Sequence, residues 1–328
     1  MFNKQLELIL CQNFLIISSM TQFTSMCEWI RNIFAYLFPP KPVIETWAIV
    51  DTLQSTREAT VCVVQSFLTG ILCVRKRYNA NSLHAHNEIS TLRTISHTNV
   101  VKIENVVYDN EFTDIMLKKY DTDLFSYIRK FSEDPSLFYS SKSIKLRIDW
   151  MHGISEGIKH LHTKRIIHCD IKPENILIDR AATIQDPTTG AVLTDFGFAT
   201  NYTLPDKTVT GMMGSLHYAA PELFRSKVNK GIPLDIFSLG ATIWVAVYGL
   251  FPWITDTNSG ERSEMYKDSD YVVHSDYHAN TKTSITNLVK LMTLKQPEKR
   301  IPLESVTGIL YRISERYAES QLQIIYED

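Results

Sequence analysis

In the stretch "IIHCDIKPENILI" an aspartate, a lysine two residues on and an asparagine three beyond that stand in one short polar run: Asp170, Lys172 and Asn175. Together they offer a proton acceptor, a cation and a neutral oxygen ligand, a set able to position a hydroxyl, a phosphate and a metal ion. The same residues also make an ordinary polar turn, with Asp170 as a capping residue. The apolar flanks "RII" and "ILI" speak against that plainer reading, because they look like short buried strands holding a polar loop rigid. Downstream, "LTDFGFA" adds a carboxylate, Asp195, followed by "GSLHYAAPE" and then "DIFSLG".

The elements that must carry these groups follow from periodicity. From about Thr46, and clearly between Ile49 and Arg77, the chain is rich in β-branched residues with a turn signal at Thr69-Gly70, the pattern of successive antiparallel strands. After Asn79 the spacing becomes helical: "NEISTLRTISH" puts Ile89, Leu92 and Ile95 on one face, and strand-like "VVKIENVVY" and "FTDIMLKKY" follow. Beyond Asp123 the segments "SIKLRIDWMHGISEGIKHLHTK", "PLDIFSLGATIWVAVYGL", "SITNLVKLMTL" and "LESVTGILYRISERYA" read as helices. A strand-rich first lobe and a helical second lobe, an α+β architecture, is the economical arrangement. The polar run "DTNSGERSEMYKDSDYVVHSDYHANTKT" is expected to be a flexible insert.

Composition bounds the rest. A chain of 328 residues, 44% hydrophobic and 21% charged, can bury a large core. With 34 basic and 36 acidic residues and a formal charge of −2, it gives no reason to expect bulk binding to nucleic acid or an anionic membrane. The five cysteines, at 11, 27, 62, 73 and 169, form no CxxC pair, so neither a structural zinc site nor a secreted disulfide framework is favoured and a reducing compartment fits. Near the start, "LELILCQNFLIISSM" is broken by Gln12 and Asn13 and falls short of the roughly 18 continuous apolar residues of a spanning helix. "CEWIRNIFAYLF" places Trp29, Ile30, Ile33, Phe34 and Leu37 on one helical face, stopped by Pro39 and Pro40. Docking of residues 1–45 on the main domain is the favoured reading over membrane attachment.

The ordered set "HCDIKPEN", "LTDFGFA", "GSLHYAAPE", "DIFSLG" resembles the eukaryotic-type protein kinase family. One such motif alone would mean a tight turn; the order of four carries the resemblance, which covers about Thr46 to Ala318. It implies a bilobal kinase-like fold with an N-lobe over 46–120, a C-lobe over 121–320, an apolar extension over 1–45 and a tail over 321–328. It also implies ATP and Mg2+, since phosphoryl transfer needs aligned oxygens and neutralised phosphate charge more than covalent help from the protein. Asp170 then matches the residue that orients the substrate hydroxyl and accepts its proton, and Lys172 the cation that steadies the transferred phosphate. Asn175 and Asp195 match the metal ligands, with Asp179 a weaker candidate whose plainer reading is an exposed turn. Phe196 should pack beneath the helix that carries Glu88, and Gly197 should allow the backbone turn.

In the first lobe, Lys76 ends the strand "ILCVRK" and resembles the lysine that grips the α- and β-phosphates, with Glu88 as its ion-pair partner. Alone, each would be surface charge. Arg75 and Arg77 compete with Lys76, which shares the face of Val74. Leu53, Val61, Val74 and Leu117 would border the nucleotide, the backbone of Lys118 and Tyr120 would hold the adenine edge, and Asp123 would accept from ribose. Lys118 departs from the family, whose hinges usually begin with an acidic residue, and the "YDTDLFSYI" form looks like some viral kinases.

Two further departures matter. The family covers the phosphates with L-G-x-G-x-x-G-x-V; here "LQSTREATV" has Gln54, Thr56 and Ala59 where glycines belong. The loop should therefore be stiffer or sit further from ATP. Cys169 stands where many members have an arginine that pairs with a phosphorylated activation loop, and the residue that usually carries that phosphate is Gly211, so the segment is expected to order without phosphorylation. Thr208 and Thr210 keep the alternative open. "KPEN" and "GSLHYAAPE" resemble the Ser/Thr branch, with Ser215 placed near Asp170 and Lys172, Glu222 paired with Arg300, and Asp235 beneath the catalytic loop. The implied protein is a monomeric, intracellular Ser/Thr kinase, cytoplasmic or nuclear, that acts on protein substrates; a pseudokinase scaffold and a small-molecule phosphotransferase are the alternatives.

Overall fold

The computed structural model describes residues 47–202, 217–224, 231–252 and 282–326. The expectations for residues 1–45, for Thr208, Thr210, Gly211 and Ser215, and for most of the polar insert lie outside the described residues. Ile49–Gln65 and Ile71–Asp328 cluster as one compact unit, which holds every candidate site residue. Ser66–Gly70 belongs to a second unit and forms a turn in which Gly70 (φ 69°) donates its N–H to the Ser66 carbonyl.

The first half is a five-stranded sheet in the order β1-β2-β3-β5-β4. Its strands are β1 (Trp47–Ser55), β2 (Ala59–Ser66), β3 (Leu72–Asn79), β4 (Ile103–Tyr108) and β5 (Phe112–Lys118). Antiparallel pairing sets Val61 opposite Lys76, and Lys76 opposite Ile115. Lys76 therefore lies inside a strand that runs on to Asn79 rather than at its end, which adds Tyr78 to the same face. Helix α1 (Leu83–Leu92) starts on Ser82, whose hydroxyl accepts from the Ala85 N–H, and buries Ala85, Glu88, Ile89 and Leu92. Ile95, expected on that helical face, is buried but lies beyond the helix end.

The second half is helical around a small strand cluster. Asp123 caps α2 (Leu124–Phe131), and α3 (Ser141–Thr163) buries Ile144, Ile148, Met151, Ile154, Ile158 and Leu161 along one stripe. The short strands β6 (Thr122–Asp123), β8 (Ile176–Ile178) and β9 (Ala191–Leu193) form one sheet, while β7 (Ile166–Ile167) pairs with β10 (Thr200–Asn201). Strands β7 and β8 bracket the Asp170 loop. Helix α5 (Ile232–Tyr248) is mostly apolar and buried from Leu234 onward, and it stops at Gly249 in the left-handed region (φ 71°). Helices α6 (Lys282–Met292) and α7 (Leu303–Tyr326) complete this half, with α7 running past Ala318 because no breaker interrupts its periodic pattern.

Helix α4 (Arg180–Gln185), followed by a 3-10 turn at Pro187–Thr189, has no counterpart among the helices expected from the sequence. It is held by hydrogen bonds from Trp150 to Thr183 and from Asn99 to the Thr188 carbonyl, and the turn lies close against α3. A Cβ on Gly153 would fall 1.8 Å from the Thr188 carbonyl oxygen, so only glycine lets α3 approach this segment so closely.

Candidate active site

Buried glutamates need partners, and Glu88, fully enclosed on α1, has one across the sheet. The Lys76 Nζ donates to both its oxygens, at 2.9 and 2.8 Å, and to Asp195 Oδ1 at 3.0 Å. Burial works against the Lys76 ammonium, but the Glu88 and Asp195 carboxylates outweigh it and hold its pKa well above the ordinary lysine value. Burial likewise disfavours the Asp195 carboxylate, and Lys76 reverses this, leaving its pKa depressed. Asp195 adopts φ 65°, a left-handed conformation unusual for a non-glycine residue. Gly197, expected to provide the backbone turn, is not in that region; a Cβ there would meet the His84 Nδ1 at 3.3 Å, so its smallness serves a close approach.

Asp170 is held from several directions. Its Oδ2 accepts from Lys172 Nζ at 2.8 Å and from Asn175 Nδ2 at 3.0 Å, and its carbonyl accepts from the same Asn175 nitrogen at 2.8 Å. With its NH2 committed to Asp170, Asn175 has only its amide oxygen to offer a metal. The Asp170 N–H donates to His168 Nδ1 (3.3 Å), so the His168 proton sits on Nε2, which donates to the Thr194 carbonyl at 3.0 Å. His168 thereby links the Asp170 loop to the residue before Asp195. Phe196, fully buried in the same core as Ile89 and Leu92, presents its ring edge-on to His168 at 4.7 Å.

Beneath the loop, Asp235 Oδ2 accepts from the His168 N–H at 2.9 Å and Oδ1 from the Cys169 N–H at 3.0 Å, and His162 Nε2 lies 2.9 Å from Oδ2. These bonds fix Cys169 at φ 67° with its side chain buried. Farther out, the Arg300 guanidinium donates twice to Glu222, at 2.5 and 2.7 Å, and also to the carbonyls of Pro233 and Leu294, each at 2.8 Å.

Lys76, Asn175 and Asp195 border a cleft of about 550 Å³, within the size range of small-molecule sites. Leu53, Val61, Val74, Lys76, Leu117, Lys118, Tyr120, Asp123, Asn175 and Asp195 all line it. Glu88 stands behind Lys76, and Asp170 and Lys172 are joined to the lining through Asn175 rather than belonging to it. Asp123 spends its carboxylate on the Ser126 N–H (2.8 Å) and hydroxyl (2.7 Å), so a ribose would compete with a helix cap. Asp179 is neither an exposed turn nor part of the Asp195 cluster. It caps α4 through the Ala182 N–H and accepts from Lys118 Nζ at 2.6 Å, which depresses its pKa. The unusual Lys118 thus has a local partner.

Several contacts around the cleft carry no motif signature. The Thr56 hydroxyl closes the β1–β2 turn, accepting from the Glu58 and Ala59 N–H groups at 3.2 and 3.1 Å. Backbone amides of a loop that could face phosphates are thereby committed to the loop itself. Glu58 Oε2 also lies 3.3 Å from His84 Nε2. The Tyr78 hydroxyl donates to Glu88 Oε2 at 2.8 Å; the period-2 face shared with Lys76 was the signal available for it.

Residues 68–311 match the model of the protein kinase domain, and the chain belongs to that family. The architecture, a β-sheet lobe followed by a helical lobe, is the protein kinase fold in its mixed α+β form. Among similar curated proteins, the human cAMP-dependent protein kinase catalytic subunit PRKX is 33% identical over 224 residues, covering 66% of this chain and 54% of its own length. The human putative serine/threonine-protein kinase PRKY is 35% identical over 204 residues, 60% of this chain and 65% of that protein. The human SNF-related serine/threonine-protein kinase is 28% identical over 225 residues, 68% of this chain and 27% of that protein. The chain thus spans between about a quarter and two thirds of these relatives. The family uses ATP, typically with Mg2+, and acts on proteins. Among the described residues no helix is long and apolar enough to cross a membrane.

Proposed function

We propose that the chain is an ATP- and Mg2+-dependent protein kinase that transfers the γ-phosphate to serine and threonine hydroxyls. The observation that carries this reading is the meeting of Lys76, Glu88 and Asp195 within 3.0 Å, beside a cleft also lined by Asn175, which is bonded to Asp170. Lys76 grips the α- and β-phosphates, and Glu88 keeps its ammonium aimed at them. Leu53, Val61, Val74 and Leu117 enclose the base, and the backbone of Lys118 and Tyr120 holds its edge. One carboxylate and one amide oxygen suit Mg2+, which takes few protein ligands and completes its shell with water and phosphate oxygens; it supplies charge neutralisation across the phosphates.

Asp170, its carboxylate oriented by Lys172 and Asn175, accepts the proton of the attacking hydroxyl. The new bond joins that oxygen to the γ-phosphorus, the β–γ bridging P–O bond breaks, and ADP leaves with its electron pair. Lys172 offsets charge on the transferred group. In this reading the lobes divide near residue 120, the protein works as a monomer inside the cell, and its segment after Asp195 orders without phosphorylation. Cys169 supports the last point: a buried thiol cannot pair with a phosphate.

The Thr56-closed loop favours one other reading, a scaffold that binds nucleotide without transferring phosphate. Labelled ATP and a generic protein substrate separate the two. The kinase reading expects labelled phosphoserine and phosphothreonine with the wild type and none with Asp195→Ala. Nucleotide binding without transfer by the wild type would establish the scaffold.

A further inference from the structure

We infer that Tyr78 is a positioning residue for this site, a strand-borne donor that keeps Glu88 and its helix in place when Lys76 is engaged with a ligand. The inference rests on the kinase reading for what Lys76 engages, and otherwise on geometry. Tyr78 follows Lys76 by two residues on β3 and is 5% exposed. Its hydroxyl donates to Glu88 Oε2 at 2.8 Å, the same oxygen that lies 2.8 Å from Lys76 Nζ. Among the described residues, the hydrogen bonds to the Glu88 carboxylate come from Lys76 and Tyr78.

Lys76 has three N–H bonds and already divides them between Glu88 and Asp195. Phosphate oxygens arriving at Nζ compete for those donors, and each one withdrawn leaves a fully buried carboxylate less satisfied. An apolar side chain at position 78 would leave Glu88 dependent on Lys76 alone. The phenol is neutral, sits on a rigid strand and does not face the competitor, so it retains Glu88 while the ammonium turns outward. It also supplies, within the first lobe, an inward hold on α1 that asks nothing of a phosphorylated segment. Burial and the neighbouring carboxylate push the phenol pKa far up, which keeps the hydroxyl a donor.

The test compares the full chain carrying Tyr78→Phe, Glu88→Gln and both, by amide hydrogen exchange across residues 83–92 and by ATP KM and kcat. Phenylalanine keeps the ring and removes only the donor. Tyr78→Phe should speed exchange of α1 about tenfold and raise the ATP KM by about the same factor, with kcat changed less than about twofold. In the Glu88→Gln background, where the amide oxygen still accepts but no buried charge is left less satisfied, its effect should be smaller. Wild-type exchange and KM in Tyr78→Phe, equal factors in both backgrounds, or outright loss of folding would each overturn the inference, the last by making the phenol a folding determinant. If the wild type transfers no phosphate, exchange still decides the role of Tyr78, and only the kinase reading falls.

Discussion

Removing the carboxylate of Glu222 should cost this protein a large part of its stability. The Arg300 side chain is fully enclosed and the Glu222 side chain nearly so. Their two parallel bonds, with those to Pro233 and Leu294, tie the segment ending at Glu222 to the start of α5 and the end of α6. Glu222→Ala leaves the guanidinium its two carbonyl partners but strips its counter-charge in a site water does not reach. Breaking one side of such a pair costs about 3–5 kcal/mol, against a typical total of about 5–15 kcal/mol. For a domain of this size that lowers the melting temperature by roughly 10 °C. Urea denaturation should show the midpoint falling with an unchanged slope. Glu222→Leu combined with Arg300→Met, which removes both charges, should be less damaging than Glu222→Ala. A loss below about 1 kcal/mol, the range of exposed pairs, or a double variant worse than the sum of the singles, would refute the buried-pair reasoning.

Restoring glycines in the β1–β2 loop should tighten nucleotide binding. Gln54→Gly/Thr56→Gly/Ala59→Gly frees the Glu58 and Ala59 amides that Thr56 now occupies, adding two bonds to phosphate worth about 1.5 kcal/mol each against about 0.7 kcal/mol of flexibility per glycine. The net of about 1 kcal/mol corresponds to an ATP KM about fivefold lower; an unchanged KM would contradict the structural role of Thr56. A second expectation concerns acid. Burial disfavours the Asp235 carboxylate, but His162 and His168 outweigh it and depress its pKa. A depressed carboxyl stabilises the fold above its unfolded value near pH 4, and that contribution fades as pH falls through the folded value. The stability gap between wild type and Asp235→Asn should therefore be full at pH 7 and shrink below about pH 4; a gap constant with pH would show that charge is not the cause.

Much of this fold is legible in the sequence because its signals are local. The β-branched run from Ile49 to Arg77, the apolar stripe of α3 and the enclosed α5 each declare their period, and the motifs around Asp170 and Asp195 keep their order. The illegible parts depend on contacts distant in sequence or on one atom's choice of partner. Helix α4 has no buried residue to give it an apolar stripe, and it is fixed by Trp150 donating to the Thr183 hydroxyl and by Asn99 donating to the Thr188 carbonyl. Asp179 looked like an exposed turn because its partner Lys118 lies 61 residues away. Thr56 and Tyr78 are ordinary turn and strand residues by type; only the folded backbone shows that one hydroxyl closes the β1–β2 loop and the other reaches Glu88. The left-handed backbone lies at Asp195 rather than at Gly197, although residue type alone points the other way.

The most direct measurement is the rate of γ-phosphate transfer by the wild type, Asp195→Ala and Asp179→Asn under saturating substrate and excess Mg2+, with each protein's fold checked by circular dichroism. Asp195 faces the ammonium of Lys76 on the cleft, whereas Asp179 is occupied by a helix cap and Lys118. The expected result is phosphorylated serine and threonine with the wild type, most of that rate with Asp179→Asn, and none above background with Asp195→Ala. Full transfer by Asp195→Ala, or its loss in Asp179→Asn alone, would place the metal chemistry elsewhere and contradict this assignment of the site.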